Sequence, residues 1–408
     1  MTGKHLMRAL VGASLLPVVV AAPAAAQNQT YLDLQAAVGY SSNPDLRIDG
    51  TGSGFGRISA FGYHGWGTER SSSSLSAYVE NTSYFRRLGN RQAFSVDAAN
   101  STQVNEKVRV FGNVGFRGDF GAQLSSRFFG APGYTVPLDP VIPPTSIIVV
   151  TPDLVALSQR QYSINGNVGA SFVMSPRDSL TATVGAQRVW FKSENSQPGS
   201  IQDYNLYNTS LGWRRQVNER LSAGVRVIGS KSDYEFGQSV TSYGPQLTAD
   251  LRLNENTQLG GAIGFVRTER DWDALEGNRN STDLSLDASL CRTLEYESFC
   301  GRVARRSQAV ALATAPTSSS FTAEYSRRLT ARDQVQAAVT LVTTDGVREV
   351  GLGRQNLYSA SGAFDRRISP RLSAGVNLVA RKFVISGPDP KADLGGSIYI
   401  RNRFGSIR

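Results

Sequence analysis

The side chains best suited to covalent or acid–base chemistry are scarce in this sequence of 408 residues, which holds two histidines, His5 and His64, and two cysteines, Cys291 and Cys300. His64 lies in Tyr63-His-Gly-Trp66, with no assignable nucleophile to complete a triad. No group of His and Cys has metal-ligand spacing. Gly260-Gly-Ala-Ile-Gly264 and Gly351-Leu-Gly353 open no helix, so a phosphate-cradling loop is not supported. The sequence reads as a non-enzyme with no cofactor or metal.

Arginine is the residue type whose placement invites a function. Lys and Arg number 43 against 33 Asp and Glu, for a formal net charge of +10. Arg109, Arg226, Arg302 and Arg381 sit inside runs of alternating apolar and polar residues. Further arginines crowd Trp213-Arg-Arg-Gln216, Ser326-Arg-Arg-Leu329, Asp365-Arg-Arg-Ile368 and Ile400-Arg-Asn-Arg403. A guanidinium is a permanently charged planar donor, so the chemistry on offer is positioning anions and shaping a field.

The elements that would position these arginines are β-hairpins. Eight short polar turns punctuate the chain, at Thr68-Glu69-Arg70, Asn105-Glu106-Lys107, Ser175-Pro176-Arg177-Asp178, Val217-Asn218-Glu219-Arg220, Asn254-Glu255-Asn256, Glu295-Tyr296-Glu297, Ala331-Arg332-Asp333 and Ser369-Pro370-Arg371. They fall roughly 36 to 42 residues apart, with one gap of about 70, and a period of that size is two strands plus one loop. Arg220-Leu-Ser-Ala-Gly-Val225 recurs letter for letter as Arg371-Leu-Ser-Ala-Gly-Val376. In the first copy Leu221, Ala223, Val225 and Val227 face one way, while Ser222, Gly224 and Arg226 face the other.

Such alternation fits a soluble sheet over an apolar core or a barrel whose apolar face meets lipid, and the N-terminus decides between them. Lys4 and Arg8 precede an apolar stretch from Ala9 to Val20, and Ala24-Ala25-Ala26 supplies small residues for cleavage. Residues 1–26 therefore read as a secretory signal peptide, with the mature chain starting at Gln27. No later stretch approaches the roughly 18 apolar residues of a spanning helix. The expected fold is all-β, a transmembrane antiparallel up-and-down β-barrel occupying residues 27–408 as one domain. Eight periplasmic turns imply about 18 strands, at about 21 residues each with their share of loop, against the roughly 9 to 11 needed to span. The count falls to about 16 if Tyr31 to Tyr40 or the hairpin around Leu88-Gly-Asn90 does not form. Export on alternating strands also argues against nucleic acid as the partner of this basic chain. An interfacial aromatic girdle accounts for His64 between Tyr63 and Trp66.

Loops at the other end are longer, as on the extracellular side, and include Ser41 to Gly54, Glu194 to Asp203, Asp271 to Asn280, Thr343 to Gly353 and Ser386 to Asp393. The third outer loop, residues 124–159, carries six prolines, among them Pro143 and Pro144, around an apolar run. Leu138, Ile147, Ile148, Val149 and Val150 need a cover from water. Folding into the lumen as a constriction or plug, packing on a neighbouring subunit and lying on the barrel rim are the open destinations.

A lipid-facing Arg near the bilayer midplane costs about 2 to 4 kcal/mol, so the cheaper register turns mid-strand arginines inward. Arg109, Arg226, Arg302 and Arg381 then line the lumen beside Asp250 and Asp287. The same alternation sets Arg214, Arg252, Arg328, Arg367 and Arg401 inward at similar depth, as a basic collar at the periplasmic mouth. The collar is either an electrostatic funnel for anions or interfacial anchoring with local pairing, Asp250 lying two residues from Arg252 and Asp365 two from Arg367. Small anions, anionic sugars and phosphate-bearing lipids are the natural partners. A two-residue turn at Glu295-Tyr296 sets Cys291 opposite Cys300, and an oxidising periplasm favours a disulfide over two reduced lumenal thiols.

The signal, the hairpin repeat and the last strand, Leu394-Gly-Gly-Ser-Ile-Tyr-Ile-Arg-Asn-Arg-Phe404, resemble outer-membrane β-barrel proteins of Gram-negative bacteria along the whole mature chain. Leu394, Gly396, Ile398, Ile400 and Phe404 resemble the C-terminal signal read by the barrel-assembly machinery, although Gly405-Ser-Ile-Arg408 follows the aromatic residue. The resemblance implies a place in the cell outer membrane, with its lipid, lipopolysaccharide and the assembly machinery as partners. The single-domain layout and arginine-bearing lumen also resemble the barrels of exopolysaccharide-export systems. That likeness implies passage of a polysaccharide handed over by a periplasmic export protein. The alternatives are a porin-like channel for small-solute diffusion, with the third loop as its constriction, and a non-conducting structural or adhesive barrel.

Overall fold

The computed structural model describes residues 28–86, 88–120, 160–192, 201–271, 279–307, 309–311, 314–346, 353–385 and 390–405. Alternating residues favour the pleated strand, and each half-period of the hairpin repeat becomes one. In chain order the strands are β1 (Gln29–Ser41), β2 (Ser53–Gly67), β3 (Ser71–Tyr84), β4 (Asn90–Gln103), β5 (Val108–Phe120) and β6 (Arg160–Val173). They continue with β7 (Asp178–Phe191), β8 (Tyr204–Gln216), β9 (Leu221–Tyr234), β10 (Ser239–Asn254), β11 (Thr257–Asp271) and β12 (Arg279–Thr293). The last six are β13 (Glu297–Ser307), β14 (Thr317–Arg328), β15 (Asp333–Thr344), β16 (Gln355–Arg367), β17 (Leu372–Ile385) and β18 (Asp393–Gly405). Each pairs antiparallel with its sequence neighbours, and β1 pairs with β18, so the 18-stranded sheet closes on itself. Both Tyr31 to Tyr40 and the hairpin around Leu88 are formed, which settles the strand count at 18.

The short turns are held by their own side chains. Thr68 Oγ1 accepts from the amides of Arg70 and Ser71 at 3.3 and 3.1 Å, and Asn105 Oδ1 from Lys107 and Val108 at 2.9 Å each. Ser175, Asn218, Thr330 and Ser369 repeat the pattern two and three residues on. Ser, Thr and Asn at this position give the backbone a local acceptor and so stop the strand. The β12–β13 turn opens instead on Leu294, which has no such acceptor, and that hairpin is the one bridged by Cys291 and Cys300.

Apolar side chains point outward. Ile58, Val38, Leu247 and Ile398 are each more than 60% exposed, where a soluble protein would hide them. Trp66, Trp213, Phe299 and Phe404 ring the short-turn end of this face. Near the long-loop end Phe94, Phe116, Tyr162 and Trp190 form a row across β4 to β7, with ring centroids 5.2 to 6.3 Å apart. Gly118 lies beneath that row, where a Cβ would stand 2.6 Å from the Phe94 ring. A closed barrel with an apolar outer face between two aromatic girdles is a membrane-spanning barrel of the outer-membrane type. His64 belongs to the outer face, stacked on Trp66 at 5.0 Å, with Nδ1 2.6 Å from Thr30 Oγ1.

Candidate lumen site

The residues between the outward apolar positions face the lumen. Arg109, Arg226, Arg302 and Arg381 all take inward positions, as do Asp250 and Asp287. Arg226 on β9 donates through Nε and Nη2 to Gln246 Oε1 on β10 at 3.0 and 2.6 Å, and Gln246 Nε2 donates to Ser285 Oγ on β12 at 2.7 Å. The neutral glutamine orients the guanidinium without cancelling its charge. Arg109 donates to Ser101 Oγ at 2.9 Å. Asp287 pairs with Arg306 at 3.4 Å, and Arg381 with Asp393. Arg302 has no ion-pair partner among the described residues. Cys291 and Cys300 are directly opposed on the inward face with Cα atoms 4.1 Å apart, and are joined as a disulfide.

At the short-turn mouth Arg214, Arg252, Arg328, Arg367 and Arg401 are also inward, but their pairing differs from the local scheme expected from spacing. Asp250 pairs across strands with Arg214, at 3.1 Å, and Asp365 with Arg401, at 3.1 Å, while Tyr399 Oη also donates to Asp365 at 2.9 Å. Each pair reaches over an intervening strand, past Gly224 of β9 and Gly375 of β17, whose missing side chains leave the inward face open for a long guanidinium to cross. Arg252, Arg328 and Arg367 are thereby left without an ion pair among the described residues. The collar is two neutralised positions and three charged ones.

Among the described residues two loops lie inside the long-loop mouth, and neither was marked by its sequence. Leu46, in the loop between β1 and β2, packs against Val342, Leu357 and Phe383, inward residues of β15, β16 and β17. Ala311 and Ala315, between β13 and β14, pack against Val189, Phe191, Tyr204, Tyr234 and Val240 on the inner wall of β7 to β10. Gln202 N donates to Ala311 O at 2.8 Å, and Tyr234 Oη to Thr314 O at 3.2 Å. Counted round the sheet, these seats are on nearly opposite walls. The available signal was weak, a single leucine in Asn43-Pro-Asp-Leu-Arg47 and the small apolar run Ala309-Val-Ala311. Leu138, Ile147, Ile148, Val149 and Val150 of the third outer loop lie outside the described residues.

No protein-family model matches the chain, and no curated protein sequence matches it. Among solved structures it is similar to OccK2 (OpdF) of Pseudomonas aeruginosa, with a TM-score of 0.46 and 10% identity over 94% of this chain and 99% of that one. Similarity to OprD of the same organism has a TM-score of 0.41 and 12% identity, covering 94% and 96% of the two chains. The FrpB iron transporter of Neisseria meningitidis, in its apoprotein form, gives a TM-score of 0.45 at 10% identity over 89% of this chain, which spans 62% of FrpB. At this level of similarity none of these proteins bears on what the barrel carries.

Proposed function

We propose that this barrel is an outer-membrane channel whose lumen favours anionic solutes, with acidic glycans such as exopolysaccharide as the preferred class. The observation that supports it is the character of the inward cations. On the described strands they are all arginines, while Lys231 and Lys382 take outward positions, and Arg252, Arg328 and Arg367 at the periplasmic mouth have no ion-pair partner among the described residues. Uncompensated charge of one sign in a low-dielectric cleft concentrates counter-charged solute. A guanidinium fork also matches a carboxylate in two places at once. Residues 1–26 would direct the chain to export, and a periplasmic export protein would hand its polymer to this basic mouth.

Reversal potential of the refolded protein in a planar bilayer, under a salt gradient, tests the proposal. Anion preference that drops when Arg252, Arg328 and Arg367 are changed to Gln is the expected result. Cation preference, or selectivity indifferent to those changes, would overturn it. Steady conductance with no response to an acidic oligosaccharide would favour a diffusion porin, and a silent barrel a structural or adhesive role.

A further inference from the structure

The first outer loop is seated within the lumen rather than above it, and its seat has the makings of a ligand site. Leu46 is 6% exposed and is held with φ at +52°, a backbone conformation that leucine rarely adopts and that its surroundings must impose. The base of the loop is fastened by Asp393, 1% exposed, whose carboxylate accepts from Ser41 Oγ at 2.6 Å, from Asn43 N at 2.9 Å and from the Arg381 guanidinium. Asp45, beside Leu46, pairs with Arg91 on β4.

The wall beneath is only half satisfied by this arrangement. Leu357, which Leu46 touches, is flanked on the inward face of β16 by Gln355 and Ser359, 8% and 3% exposed. Among the described residues Gln355 Oε1 and Ser359 Oγ are buried with no hydrogen-bond partner. Ser318, 5% exposed, lies on the same transverse row as Gln355 through Thr344, and its Oγ has no partner among the described residues either. Buried polar atoms normally have partners, and leaving several unmade along one wall costs free energy that an occupant could recover. The nearby cations Arg91 and Arg381 are already matched by Asp45 and Asp393, so the strip is electrically neutral.

Resting on the proposal that solutes pass through the lumen, we infer that residues 42–52 form a lid over a hydroxyl-binding strip on β14 to β16. The strip would take a sugar unit, whose hydroxyls pair with Gln355, Ser359 and Ser318 while its apolar face replaces Leu46 on Leu357 and Phe383. Latched by Asp393 at its base and strained at its tip, the lid is displaced when the glycan arrives.

The test is the rate at which a water-soluble maleimide labels Leu46→Cys in the folded, detergent-solubilised barrel, its fold checked by heat-modifiable gel mobility. Labelling should be slow, and saturating maltoheptaose should speed it by about tenfold or more, the signature of a population shifted from lid-closed to lid-open. Adding Gln355→Ala and Ser359→Ala should cancel that acceleration, and the same mass of glycerol should not produce it. A rate indifferent to the oligosaccharide, or an acceleration that survives the double change, would overturn the lid and strip. Because labelling needs no conductance, an ion-silent or cation-preferring barrel that still responds removes only the channel proposal. An anion-selective barrel without sugar-dependent labelling removes only the lid.

Discussion

Asp33 and Arg403 face each other across the seam that closes the barrel, joined by two hydrogen bonds of 2.7 Å, from Nε to Oδ1 and from Nη2 to Oδ2. Asp33 has no exposed side-chain surface. The Arg403 guanidinium carbon lies 4.3 Å from the Tyr31 ring centroid, and Tyr31 stacks on Tyr63 at 5.3 Å. A one-residue slip between β1 and β18 would send the carboxylate to the lipid face, so this pair penalises misregister at the joint that closes the barrel.

Removing one partner should therefore cost more than removing both. Asp33→Ala strands the arginine, and since Arg403 keeps 30% of its side chain exposed, the loss should be about 2 kcal/mol, below the range for fully buried pairs. Asp33→Leu combined with Arg403→Met should lose less than either single change. Urea unfolding in lipid vesicles, arranged as a double-mutant cycle, measures the coupling, and additive losses would mean the pair contributes nothing specific.

The collar makes an asymmetric prediction. Asp250→Asn releases Arg214 from its 3.1 Å ion pair and should raise anion preference, whereas Arg252→Gln should lower it. Both shifts should shrink with added salt, because the Debye length falls from about 10 Å at 0.1 M to about 3 Å at 1 M. If reversal potentials move the same way in the two variants, the two sites do not share one field.

How much of this was legible in the sequence depends on whether the signal was local. The turns were readable because Thr68, Asn105, Ser175, Asn218 and Ser369 cap their own turns, and a cap acts within three residues. Inward placement of Arg226 or Arg381 was readable because a strand's period of two and the cost of charge in lipid decide a face without knowledge of any neighbour. Partners were not. That Asp250 serves Arg214 on another strand depends on the register between β8, β9 and β10, which no single strand encodes. The seat of Leu46 was invisible for the same reason, since Val342 and Leu357 are nearly three hundred residues away or more along the chain and adjoin it only once β1 meets β18.

The disulfide should stabilise without affecting transport. Cys291 and Cys300 close a short loop, with a sequence separation of 9. Chain-entropy arithmetic for a loop of that size allows about 2.5 kcal/mol, as an upper figure, because the hairpin is also held by its ladder. Changing both to Ser should lower the urea midpoint and leave conductance and selectivity unchanged. A large change in conductance would instead place the bridge in the path of the solute.

The latch at the outer mouth can be probed without any ligand. Asp393→Asn keeps the shape of the side chain, but turns an amide donor toward either Arg381 or the donors of the loop, Ser41 Oγ and Asn43 N. One of these contacts must then be lost, and the loop should leave the wall more often. Arg47 is a convenient reporter, because its side chain is already 70% exposed while its amide is tied down at 3.1 Å to Asn43 Oδ1. A protease needs several residues in extended form, so exposure of the side chain alone does not permit cleavage, and release of the backbone does. Trypsin should cut after Arg47 several-fold faster in Asp393→Asn than in the parent, about tenfold if the weakened latch loses some 1.4 kcal/mol. Cleavage at equal rates in the two proteins would show that Leu46 and the Asp45–Arg91 pair hold the loop by themselves.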